Sequence, residues 1–150
     1  MGRRTKAREC AFQLLYQWGI TGDPMPRVLQ LFWRVRSGTP QMRAMAERLA
    51  VGAQAQVDAL DERIAAAASN WRLDRIATVD RTILRLGTYE LMAEPATPAA
   101  VVLDEAVELA KRFGEVDSPA FVNGVLDAIR RDVRGGGQEP KREQKGAVGE

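Results

Sequence analysis

Four cations, Arg3, Arg4, Lys6 and Arg8, fall within six residues at the start of the chain, with Glu9 as the adjacent counter-charge. The helical pattern that follows places them in the first turns of a helix. There the macrodipole disfavours a cation by roughly a few tenths of a kcal/mol. A solvated helix end is the plain reading of such a run. A cost with no local compensation points instead to an external anion, and neutralising a phosphate backbone is the chemistry these four would do. The net charge is only +2, so the attraction is local to this end rather than a property of the whole molecule.

The other candidates are carboxylates, one thiol and one aromatic–amide pair. Asp104, Glu105 and Glu108 could suggest acid–base work, but Glu108 is followed by Lys111 and Arg112 at three and four residues, the spacing of an ion-paired solvated helix face. Histidine is absent. That removes a general base near neutral pH, Ser-His and Cys-His dyads, and imidazole metal ligands. Cys10, the single cysteine, can make neither an internal disulfide nor a thiolate zinc site, and reads as a small buried residue. No enzyme, metal or cofactor is expected. Phe121 lies about 100° around its helix from the apolar Val122, so core packing is its simplest role. Asn123 falls on the polar face, where an amide could read a base edge or simply meet solvent. Gly124, inside the same helix at a cost of about 1 kcal/mol against alanine, is assigned to close helix packing.

The elements that must position these residues are helical. Apolar residues recur at three and four, alternation of period two is scarce, and six or seven helices are predicted. Ala7, Ala11, Leu14, Leu15 and Trp18 line the first, which ends at Gly19 and Gly22. Pro24 and Pro26 open a second, with Val28, Leu29, Phe32 and Val35 inward and Gly38 as its stop. After Pro40, Met45, Leu49, Gly52, Ala53, Val57, Leu60, Ile64 and Ala67 predict one long amphipathic helix, broken at Asn70-Trp71. From Asp74 to Ala93 comes either one helix or a short turn and a helix capped by Thr78. Pro95 and Pro98 interrupt it. A wide apolar face from Val102 to Phe113 stops at Gly114. Ser118-Pro119 predicts an N-cap and a first helical proline, with Val122, Val125, Leu126, Ile129 and Val133 inward. The expectation is an all-α domain over residues 1–134, two helical subbundles sharing the long helix, and a disordered polar tail over 135–150. No apolar run is long enough to span a bilayer and no signal peptide is evident, so a cytoplasmic location is expected.

Against that frame, one set of strings is specific. Asp104-Glu105-Ala106-Val107-Glu108-Leu109-Ala110-Lys111, Phe113-Gly114, Asp117-Ser118 and Phe121-Val122-Asn123-Gly124-Val125-Leu126-Asp127 closely resemble the signature of the NusB antitermination family. Lys6-Ala7-Arg8-Glu9-Cys10-Ala11 with Leu15-Tyr16 is similar to its opening helix, and Ile83-Leu84-Arg85-Leu86 with Tyr89-Glu90-Leu91 to its middle. The resemblance runs from about Arg3 to Val133, and departs from the family pattern at Thr5 and Asp104. It implies two small helical bundles that bind boxA-type single-stranded RNA of ribosomal-RNA leader transcripts together with ribosomal protein NusE. The pair would act on RNA polymerase with other Nus factors, without catalysis or cofactor. It also implies roles for particular residues. Arg3, Arg4, Lys6, Arg8, Asp117, Phe121 and Asn123 would contact RNA, with Phe121 stacking on a base. Tyr16 and Asp80 would lie at or near the NusE surface, Asp80 also close to RNA. A second reading of different class is the accessory domain of a ribosomal-RNA cytosine methyltransferase. That enzyme needs several hundred further residues with a nucleotide-binding domain and a catalytic cysteine motif, and a chain ending at Glu150 in a polar tail argues against it.

Overall fold

Proline and glycine punctuate the chain as their backbone limits require. Pro24, Pro40 and Pro119 stand at helix starts, where a missing N–H costs nothing. Gly22 ends the first helix in the left-handed region at φ 74° and donates to the Trp18 carbonyl, and Gly135 ends the last at φ 72°. The computed structural model describes residues 2–68 and 72–135. Among these it contains seven α-helices, one 3-10 turn and no strand: α1 (Arg3–Thr21), α2 (Met25–Val35), α3 (Pro40–Ala55), α4 (Val57–Ala67), the turn Leu73–Arg75, α5 (Thr78–Ala93), α6 (Ala99–Phe113) and α7 (Ser118–Arg134). The all-α expectation is met. Asn70, Trp71 and the expected tail beyond Gly135 lie outside the described residues.

The single long third helix is corrected. It breaks at Gln56, whose backbone leaves the helical region at φ −114°, ψ 22°. The reason is tertiary. α3 buries Met42, Ala46, Leu49, Ala50 and Ala53 chiefly against α1, while α4 turns Leu60 and Ile64 toward α5 and α7. The shared element is therefore α5, which touches α1, α3, α4, α6 and α7. Its run from Thr82 to Leu91 is buried at every position but Arg85, as a helix packed on all sides must be. Arg134 of α7 closes its end, donating to the carbonyls of Leu91 (2.9 Å), Glu94 (3.2 Å) and Thr97 (2.7 Å).

Five smaller expectations also change. Val35 is 85% exposed rather than inward, because α2 ends there and Arg36, not Gly38, follows as its cap. Thr78 and Ser118 are first helical residues, not caps. The Ser118 hydroxyl is buried and accepts from the Glu115 N–H across a tight turn. Thr39 does cap, accepting from the Met42 N–H at 3.1 Å. Gly124 is exposed, and a Cβ there would meet nothing within 4 Å, so close packing does not explain it. The close approach is instead at Gly87, where a Cβ would sit 2.8 Å from Leu126 Cδ1.

Candidate nucleic-acid interface

The loop after α6, the end of the 3-10 turn with the link that follows it, and the starts of α5 and α7 surround one cleft. Gly114 permits this, since a Cβ there would lie 2.6 Å from Ser118 Oγ and 2.9 Å from the Ala110 carbonyl. The result is a cleft of about 250 Å³ whose wall includes Asp80, Asp117, Phe121, Arg75 and Glu115. Three residues singled out in the sequence, 37 and 4 positions apart, are thus gathered. Phe121 is half-buried, its body against the core and part of its ring open to the cleft. Arg75 and Glu115 were not foreseen. Neither belongs to a run or a helical stripe, and only the fold brings them here.

Asp80 is 9% exposed, and its Oδ1 has no hydrogen-bond partner among the described residues. Burial pushes its carboxyl pKa above the usual aspartate range, the charges of Asp117 and Glu115 add to the rise, and a hydrogen bond with Ser118 opposes it. The folded state therefore holds this proton more tightly than the unfolded chain does. Stability falls as pH rises from the unfolded aspartate pKa through the folded one. Asp80→Asn is expected to be more stable than the parent at neutral pH, with the gain vanishing in acid below the ordinary aspartate range. Urea melts over a pH series check this, and a neutral-pH loss would contradict it.

The basic end divides. Arg3, Arg4 and Lys6 are exposed on a helix start that carries no acidic residue in its first turn and no side-chain cap, so its N–H groups and cations present one positive surface. Arg8 does not join them. It is 4% exposed and fork-bonded to Glu90, Nε to Oε1 at 3.0 Å and Nη2 to Oε2 at 2.5 Å, with Glu105 4.0 Å away. The expectation that Arg8 reaches phosphate is corrected, because the helix register turns it inward between α5 and α6. Burial would lower its pKa, but Glu90 and Glu105 more than offset this, and the guanidinium stays charged. Thr5, the departure from the family pattern, donates to Glu105 at 3.1 Å and helps seat α1 on α6.

Asn123 is exposed but not in the cleft. Two residues from Phe121 is about 200° of helix rotation. It lines a separate groove between α6 and α7 with Asp104, Glu105 and Glu108. Glu105, which lines that groove, also accepts from Thr5 at the α1 start. Tyr16 is half-buried at one end of an aromatic row, 5.9 Å from Phe12, which stacks 5.0 Å from Phe113 just ahead of the cleft loop. Among the described residues no group of three or more Cys, Asp or Glu is placed to hold a metal ion, and no helix is long and apolar enough to cross a membrane.

Comparison with known proteins adds the following. Residues 5–131 match the family model described as the NusB family. The transcription antitermination protein NusB of Sorangium cellulosum (strain So ce56) is 51% identical over 133 residues, covering 89% of this chain and 95% of that protein. The solved structure of T. maritima NusB superposes with a TM-score of 0.78 at 34% identity, over 88% of this chain and 92% of that one. A structure of antitermination factors NusB and NusE in complex with dsRNA superposes with a TM-score of 0.81 at 28% identity, over 88% of this chain and 98% of that one.

Proposed function

Because the chain belongs to the NusB family, we propose that it is a transcription antitermination factor that binds boxA-type single-stranded RNA in ribosomal-RNA leader transcripts together with ribosomal protein NusE. The pair joins RNA polymerase with other Nus factors in the cytoplasm, and the chain acts by binding alone, without catalysis or cofactor. Arg3, Arg4 and Lys6 hold phosphates, Phe121 stacks on an unpaired base, Asp117 and Asn123 meet the RNA, and Tyr16 and Asp80 meet NusE. Arg8 supports the surface from within. The observation that carries the reading is the cleft that gathers Asp80, Asp117 and a half-open Phe121. A solved relative described with both NusE and RNA supports the choice of partners.

Phe121→Ala tests it. If the ring stacks on a base, the substitution costs roughly 1–3 kcal/mol of RNA binding. Fold stability drops by well under the roughly 3–5 kcal/mol of a buried phenylalanine truncation. Val122, fully buried next to it, is the control. Val122→Ala loses stability while the folded fraction binds normally. Denaturant melts and RNA titrations on both variants decide the matter. Normal binding by folded Phe121→Ala would remove Phe121 from the interface.

A further inference from the structure

Between Asp23 and Glu47 the chain contains four arginines, Arg27, Arg34, Arg36 and Arg43, and no carboxylate. Arg36 is used internally, hydrogen-bonded to Gln13 and, at 3.3 Å, to Cys10 Sγ. The other three are exposed. Arg27 and Arg34, seven residues apart, share one face of α2. Arg34 and Arg43 line a single open groove of about 420 Å³ between α2 and α3, with Trp33 and Gln30 in its wall and Glu47 its one acidic side chain. The Arg43 guanidinium lies 4.8 Å over the Trp33 ring, and Phe32 braces that ring edge-on at 4.8 Å. Stacking of this kind holds a flexible side chain in place while its N–H donors stay available. Neither Arg34 nor Arg43 has a carboxylate partner among the described residues, and Arg27 has only an exposed contact with Asp23 at 3.8 Å.

Two exposed guanidinium groups in a wide groove, Arg43 held by its ring contact, with Arg27 further along α2, suit phosphate oxygens, which Arg binds bidentately. This surface shares no side chain with the cleft or with the cations of α1. We infer that the outer face of α2 and the first turns of α3 form a second, sequence-independent RNA contact, holding phosphates of the RNA that flanks the bound element. The inference rests on the RNA-binding reading above and extends it to a segment, residues 24–46, that carries none of the family's signature strings.

The test compares a short boxA-like RNA with the same RNA carrying an oligo-uridine extension, by anisotropy titration over a salt series. The chains are the parent, an Arg27→Gln/Arg34→Gln/Arg43→Gln variant, and a charge-matched control, Arg63→Gln/Arg72→Gln/Arg131→Gln, drawn from other exposed surfaces. The extension should tighten parent binding and steepen the slope of log K against log salt. The α2–α3 variant should lose that steepening by about 0.7 per contact, about 2 in all, with the short RNA bound as before. The control should keep it. An Arg→Lys version of the same three sites, which retains charge, should restore most of the slope and so exclude misfolding. The inference is overturned if the extension adds nothing, if the variant keeps the gain (as it would were the patch for an acidic protein), or if the control loses as much. A parent that fails to bind the short RNA sinks the parent reading and this one together, whereas failure confined to the extension sinks this one alone.

Discussion

Arg8→Ala will lower folding stability by about 3–5 kcal/mol, far more than any change at its exposed neighbours Arg3, Arg4 or Lys6. The Arg8 and Glu90 side chains are only 5% and 3% exposed, so truncating one leaves the other's charge buried and unpaired. Removing both is different. Arg8→Met/Glu90→Leu replaces a desolvated ion pair with apolar volume, and such exchanges are often neutral or stabilising. The double variant is therefore expected to recover most of the loss and to bind RNA like the parent, since neither group reaches the surface. Guanidinium melts of Arg8→Met, Glu90→Leu and the double give the coupling energy directly. A loss below about 1 kcal/mol for Arg8→Ala, the range of exposed pairs, would show that the buried fork does not form.

The second large effect is at Gly52, and its sign runs against helix propensity. Alanine in place of a mid-helix glycine ordinarily gains up to about 1 kcal/mol. At Gly52 a Cβ would run into the ring of Tyr89, whose Oη, Cζ and Cε2 all fall inside contact distance, Cε2 at 2.8 Å. Tyr89 is itself buried, held where α3 crosses α5. The substitution must push a wedged aromatic or spread two helices, at about 1–3 kcal/mol of overpacking. Gly124→Ala is the matched control, since nothing lies within 4 Å of a Cβ there. It should stabilise by about 0.5–1 kcal/mol. Thermal melts of the pair should move in opposite directions, and a stabilised Gly52→Ala would refute the contact.

Why one glycine is assigned correctly and another is not shows what the sequence can carry. Several local signals act as expected, the prolines opening α2, α3 and α7, Gly22 closing α1 and Gly114 closing α6, whereas Gly38, Thr78 and Ser118 are each displaced from the cap by one or two residues. The break at Gln56 has no such signal, because neither glycine nor proline marks it and each half obeys the three/four period on its own. It follows from α3 and α4 having different neighbours. A mid-helix glycine such as Gly124 suggests close packing, yet nothing lies within 4 Å of a Cβ there. Arg8 was legible in part. It stands four and seven residues before Phe12 and Leu15, on the buried face, and a charge there calls for a partner such as Glu90, which lies in the buried run of α5. For the interface, type and position of Phe121 and Asp117 came through resemblance, whereas their meeting with Asp80 needed the tertiary fold.

The seating of α1 has a thermodynamic consequence. Thr5 on Glu105, Arg8 on Glu90 and Glu9 on Arg112 (2.7 Å) tie its first two turns to α5 and α6 before any ligand arrives. A basic segment that orders only on contact loses roughly 2–5 kcal/mol of its interaction energy to that ordering, and shows it as a large negative heat-capacity change. Here the backbone under Arg3, Arg4 and Lys6 is already helical. Its entropy was lost when the protein folded, so association has only side-chain rotamers left to fix. The same rigidity sets a limit, since charges on a fixed helix cannot redistribute to follow a polyanion whose phosphates are spaced differently.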